Sequence, residues 1–187
     1  GCSKLTEIII PQSVMSIEAK SFFHCSSLQK IKIPSSVSSI GDYAFCGCNA
    51  LKKIKIPSSV SILGPYVFCE CTSLEKITLS AKINVISEGC FMKCSNIQNI
   101  VIPTSVEKIK SSAFDGCSAL ESIFIPSSVT SIEDNCFNDC TSLIQVSIPF
   151  VNIKNCAFKN CNKLTQVLIY EPNGISEKWS ECVQRVW

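Results

Sequence analysis

Cysteine is the residue type here with the most chemical potential: the 187-residue chain carries fourteen, beside a single histidine. Such a set could form a disulfide framework, a metal site or a nucleophile. Spacing separates these readings. Cys2, Cys25, Cys48, Cys71, Cys94, Cys117 and Cys140 fall 23 residues apart, and Cys161 follows after 21. If the chain stacks in repeats, these eight share one register, with parallel Cβ vectors about 4.8 Å apart. A disulfide needs Cβ atoms about 3.8 Å apart and a χ3 near 90°, which parallel neighbours reach only with distortion. The column therefore reads as small buried hydrophobes, mostly reduced thiols. Cys46 and Cys69 are expected to be partly exposed, near Cys48 and Cys71. A metal site there is the sharper alternative, but C-x-C lacks paired zinc spacing, so no metal or cofactor is expected.

Catalysis by a nucleophile and base would have to use His24. It sits between Phe23 and Cys25, where other copies of the repeat have Gly47 and Gly116, and reads as a solvated loop residue. Asp42, Glu70, Asp115, Asp134 and Asp139 lie scattered on turns, without the facing placement of an acid and base pair. No glycine-rich phosphate loop is present. The expectation is that this is not an enzyme. Basic residues are lysine except for Arg185, and the net charge is only +2, so nucleic acid is not an expected partner. No apolar run approaches the roughly 18 residues of a membrane span. With 46% hydrophobic and 17% charged residues the chain is too apolar for disorder.

Positioning these residues is a repeat. Each cysteine of the column opens the phrase C-x-x-L-x-x-I-x-I-P-x-S-V-x-x-I-x-x-x-A-F, clear in Leu51, Ile54, Ile56, Pro57, Val60, Leu63 and Phe68. L-x-x-I-x-I alternates apolar and polar residues and ends at proline, which predicts a short strand. S-S-V-x-x-I is a second extended piece, reached through a Pro-Ser turn. The stretch ending A-F-x-x-C is predicted to be a helical or 3₁₀ turn. One unit cannot bury its own Leu, Ile and Phe, but stacked units bury them in one core. Stacking also makes a ladder of Phe22, Phe45, Phe68, Phe91, Phe114, Phe137 and Phe158 beside small residues such as Ala44, Cys90 and Cys136.

The repeat spans residues 2–170, and residues 171–187 are set apart as a C-terminal cap. Within it Ile175, Trp179, Cys182, Val183 and Val186 recur at helical spacing, predicting an amphipathic capping helix over 175–187. The chain begins in the middle of the pattern, as an excised segment would. No matching cap precedes Cys2, so the first coil has an open apolar edge through which copies could self-associate.

In each strand the residues flanking the first Ile point outward. One outer column reads Glu7, Lys30, Lys53, Lys76, Asn99, Ser122, Gln145, Gln166; the other reads Ile9, Lys32, Lys55, Thr78, Val101, Phe124, Ser147, Leu168. The candidate partner-binding residues are Lys30, Lys32, Lys53, Lys55, Lys76, Val101, Phe124 and Leu168. The lysines either keep an exposed sheet soluble or form a patch that attracts an acidic protein or polysaccharide.

The phrase, as it runs from Cys25 to Phe45, resembles the BspA-like subclass of leucine-rich repeats, and the resemblance covers about residues 2–170. It implies a β-rich solenoid: a right-handed leucine-rich-repeat coil of about eight 23-residue repeats, here with the C-terminal capping helix. It implies adhesion or protein binding, as a surface protein of an anaerobic protist or oral bacterium, with another protein or an acidic surface glycan as partner. Departures from the phrase fall at residues 149–153, where two residues are lost, and at the I-G position, kept only at Gly41 and Gly64. Reduced thiols and the absence of any N-x-S/T sequon keep a second reading open, an intracellular interaction scaffold.

Overall fold

In the computed structural model, which describes residues 1–154, 156–171 and 174–178, the chain is a stack of parallel coils. Fifteen short strands follow along the described chain: β1 (Glu7–Ile9), β2 (Ser16–Ile17), β3 (Lys30–Lys32), β4 (Ser39–Ile40), β5 (Lys53–Lys55), β6 (Ile62–Leu63), β7 (Lys76–Thr78), β8 (Val85–Ile86), β9 (Lys108–Ile109), β10 (Ser122–Phe124), β11 (Ser131–Ile132), β12 (Gln145–Pro149), β13 (Asn152–Ile153), β14 (Gln166–Glu171) and β15 (Gly174–Lys178). The L-x-x-I-x-I segments pair in parallel at the predicted offset: Ile8 faces Ile31, Lys53 faces Lys76, and Ser122 faces Gln145. The second pieces pair likewise, Ile17 with Ile40 and Ile40 with Leu63.

The third segment of each coil departs from expectation. Where a helical or 3₁₀ turn is predicted, successive tight turns form, and no helix occurs among the described residues. Alternate N–H groups bond three residues back within the coil, as Cys46 N does to the Tyr43 carbonyl. Those between reach the next coil, as Tyr43, Phe45 and Gly47 N do to the carbonyls of Pro65, Val67 and Cys69. This alternation needs a left-handed residue two before and two after each Phe: Tyr43 and Gly47 about Phe45, Tyr66 and Glu70 about Phe68, Ser112 and Gly116 about Phe114, all at φ between 55° and 73°.

Inside, the phenylalanine ladder forms as expected. From Phe22 to Phe158 consecutive ring centroids lie 5.1 to 5.8 Å apart and nearly parallel, and the five central rings are fully buried. Ala44, Val67, Cys90, Ala113, Cys136 and Ala157 fill the small slots beside them. The repeated serine has a role the sequence did not disclose: Ser36, Ser59, Ser105 and Ser128 each donate Oγ to a Val or Ile carbonyl of the preceding coil at 2.6 to 2.7 Å.

Three expectations change. Residues 174–178 form no helix; β15 pairs antiparallel with β14, Glu171 opposite Gly174, and residues 179–187 lie outside the described residues. An isolated helix of this length is marginal in water, whereas the open edge of β14 offers a row of unpaired backbone groups. The chain therefore turns back after one strand of the eighth repeat, giving about seven complete coils instead of eight. Finally, Asn99–Val101, predicted as a strand, belongs to none, so the front ladder is interrupted between β7 and β10, and it is interrupted again between β3 and β5, which lie side by side without pairing. At the other end Leu5, Ile8, Ile10, Val14 and Phe22 of the first coil are half-buried, packed against the core on one side only.

Candidate functional site

Strand alternation places the outer columns as the sequence predicts. Lys30, Lys32, Lys53, Lys55 and Lys76 are exposed, while Ile54 and Ile77 between them are buried. They occupy three adjacent coils, and Lys30, Lys53, Lys55 and Lys76 line a shallow groove of about 380 Å³ together with Gln29, Ile31, Ile54 and Thr78. Among the described residues the ion pairs are Lys93–Glu70 at 3.0 Å and Lys110–Glu133 at 2.7 Å, so no face lysine is neutralised by a carboxylate. Glu7 and Ile9 bound the lysine block on one side through their register with Lys30 and Lys32.

From the interrupted rung onward the face loses its charge. Val101 is 83% exposed and Phe124 56% exposed, as expected of apolar anchors. Leu168 is half-buried, less open than its column suggests, because β15 lies alongside with Lys178 opposite it. Tyr170 stacks on Phe124, centroids 5.3 Å apart and planes within 9°, and donates its hydroxyl to the Ile125 carbonyl. Sequence reasoning missed Tyr170 because it lies past the last recognisable phrase, and missed Gln29 because its position precedes the alternating triplet.

The buried cysteines serve packing and hydrogen bonding, while Cys2 and Cys156 are exposed. Cys48, Cys71, Cys94, Cys117, Cys140 and Cys161 each donate Sγ–H to the Phe carbonyl of the preceding coil, at 3.0 to 3.2 Å. Cys46 and Cys69 are buried, 5% and 8% exposed, contrary to expectation. Their thiols hydrogen-bond to each other across adjacent coils, and burial pushes both up, Cys69 to about 12. The His24 ring meets Phe23 edge-on at 4.3 Å and lies over Gly47, where an added Cβ would come within 2.4 Å of Nδ1. Asp115 and Asp139 both accept from Asn138 Nδ2, at 2.9 and 3.0 Å; Asn138 Oδ1 is itself buried without a partner, and burial raises Asp115.

These ladders can be compared with known proteins. The profile of the BspA type leucine-rich-repeat region matches residues 1–118 and 84–182, in six copies. The chain belongs to this family. As a BspA-type repeat protein it is similar in structure to a leucine-rich-repeat protein of T. pallidum, with a TM-score of 0.80 and 29% identity over 85% of this chain and 78% of that one. A leucine-rich-repeat protein of Eubacterium ventriosum follows at TM-score 0.77 and 31% identity, covering 84% of this chain and 43% of that one. One of Bacteroides ovatus matches at TM-score 0.63 and 30% identity, covering 91% and 57%. The BspA-type chain thus spans only about half the length of the last two. No curated protein matches it. Nothing in the BspA-type scaffold shows catalytic activity, and no described helix is long and apolar enough to cross a membrane.

Proposed function

We propose that this chain is a non-catalytic binding module whose parallel strand face is the recognition surface, serving cell-surface adhesion or host interaction. One observation carries the reading: four lysines with no carboxylate partner among the described residues line one groove across three coils, on the face where strand alternation turns side chains outward. Like charges on adjacent rungs repel, so the groove favours an anionic partner, either another protein or an acidic glycan, and would speed its encounter. Val101, Phe124 and Leu168, with Tyr170 behind Phe124, extend the surface as apolar contacts for the same partner. The half-buried first coil is where a preceding coil or a second copy would stack. The surface location itself rests on membership of the family.

A sulfonate cation-exchange resin, a featureless polyanion, tests the groove. Lys53→Glu/Lys55→Glu should elute at far lower salt than Lys108→Glu/Lys159→Glu, which makes the same change in net charge away from the face. Equal losses would mean that the lysines act only through net charge, and the reading would fall.

A further inference from the structure

We propose that the lysine groove holds a linear acidic polysaccharide laid along the coil axis, with one anionic group to each coil; this rests on the strand-face reading above. The lysines form two rows. Lys30, Lys53 and Lys76 make the first, and Lys32 and Lys55 the second, which ends at the hydroxyl of Thr78. Lys53 and Lys76 stand at the paired-strand spacing of about 4.8 Å, Lys30 and Lys32 lie on the adjacent but unpaired β3, and the two rows stand two residues apart along the strand, about 6.7 Å. A ligand that meets every rung must therefore be narrow and carry its charges about 4.8 Å apart.

An acidic helix is too wide, at about 10–12 Å across with its side chains. An extended acidic peptide presents same-face carboxylates about 6.7 Å apart and falls out of phase within three rungs. A chain of uronic acids in extended linkage advances by close to one coil spacing per sugar and carries one carboxylate on each, on alternate edges of the ribbon, so that successive carboxylates meet the two lysine rows in turn. Its ring faces, with their C–H groups, suit the floor made by Ile31 and Ile54. Lysine also suits this ligand: an ammonium point charge follows a rotating exocyclic carboxylate, whereas arginine's planar fork would demand a fixed one. The block ends at Glu7 and Ile9 on one side and at Asn99 and Val101 on the other, so about three sugars would be held.

Calorimetric titration with β-1,4-linked hexamannuronate, neutral mannohexaose and hexaglutamate separates the outcomes. Hexamannuronate should bind one to one at low salt and weaken steeply with added chloride, while mannohexaose gives no heat. Lys53→Gln/Lys55→Gln should weaken binding about tenfold with an unchanged thermal melt, which guards against misfolding. Hexaglutamate binding as well as hexamannuronate would overturn the glycan assignment in favour of an acidic protein segment. Absent hexamannuronate binding would overturn it too, and if the resin contrast between the two charge-reversed variants persists, the strand-face reading survives that loss.

Discussion

A thiol at the opening of each repeat does two jobs that few side chains could combine. It is small and apolar enough for a fully buried slot, and its S–H reaches the Phe carbonyl one coil back while that carbonyl also accepts the N–H three residues on: Phe45 O takes both Cys48 N and Cys71 Sγ. Such burial favours the neutral thiol. Burial pushes Cys48 and Cys69 up to about 12, from 9.0 for a free thiol, and raises Cys71, Cys94, Cys117 and Cys136 as well. Well below pH 9 these raised thiols are neutral in both folded and unfolded chains, and their contribution to stability is complete. Between pH 9 and 12 these raised thiols ionise in the unfolded chain and stay neutral in the folded one, so each fully buried one removes about 1.4 kcal/mol per pH unit. The urea midpoint should therefore be level from pH 7 to 8 and fall sharply by pH 10, less steeply in Cys94→Ala/Cys117→Ala. A level midpoint at pH 10 would contradict neutral buried thiols.

The turn segment is the element least legible beforehand. Its polar and glycine residues resemble an ordinary loop, and the 23-residue period says nothing about local handedness. In the structure two residues per coil sit in the left-handed region, filled by glycine only at Gly47, Gly89 and Gly116 and at the other eleven positions by residues such as Tyr43, Ser112, Lys93 and Asp139. Non-glycine residues cost about 1–2 kcal/mol there, and coil-to-coil hydrogen bonds on either side sustain them. Gly116, at φ 73°, has room for a methyl group, its nearest neighbour being Lys93 Cγ at 3.4 Å. Gly116→Ala should thus lose about 1 kcal/mol, the backbone cost less the unfolded-state gain. Gly89→Ala should lose more, since its Cβ would fall 2.2 Å from Tyr66 Cε1. Chemical denaturation of the two variants measures the difference, and equal losses would mean that the Tyr66 ring moves aside freely. The antiparallel pairing of β15 escapes a reading by period for a related reason. Ile175, Trp179 and Cys182 have helical spacing, but period alone cannot register the competing strand edge of β14.

At the scale of the molecule each coil contacts only its neighbours, so stability is close to a sum over coils and interfaces. Excising residues 94–116, one full period, joins Lys93 to Cys117 with every ladder in phase. That variant should fold cooperatively at a lower urea midpoint. Excising residues 94–115 leaves one residue too many and throws the ladders out of register, so its far-ultraviolet dichroism and cooperative transition should be lost. If the two deletions behave alike, the period does not control the stack. The sequence by itself determined the repeat, the Phe and Cys columns and the outward lysines, because periodicity specifies which residues share a column and strand alternation specifies which side they face. Only the tertiary structure decided that the thiols and serines donate to the coil before them and that Cys46 and Cys69 are buried. It also decided that the front ladder breaks at Asn99–Val101 and between β3 and β5, that the edge of β14 is paired with β15, and that Tyr170 lies on Phe124. Each of these depends on what a side chain or an open edge meets in the neighbouring coil, and such contacts form only when the coils stack.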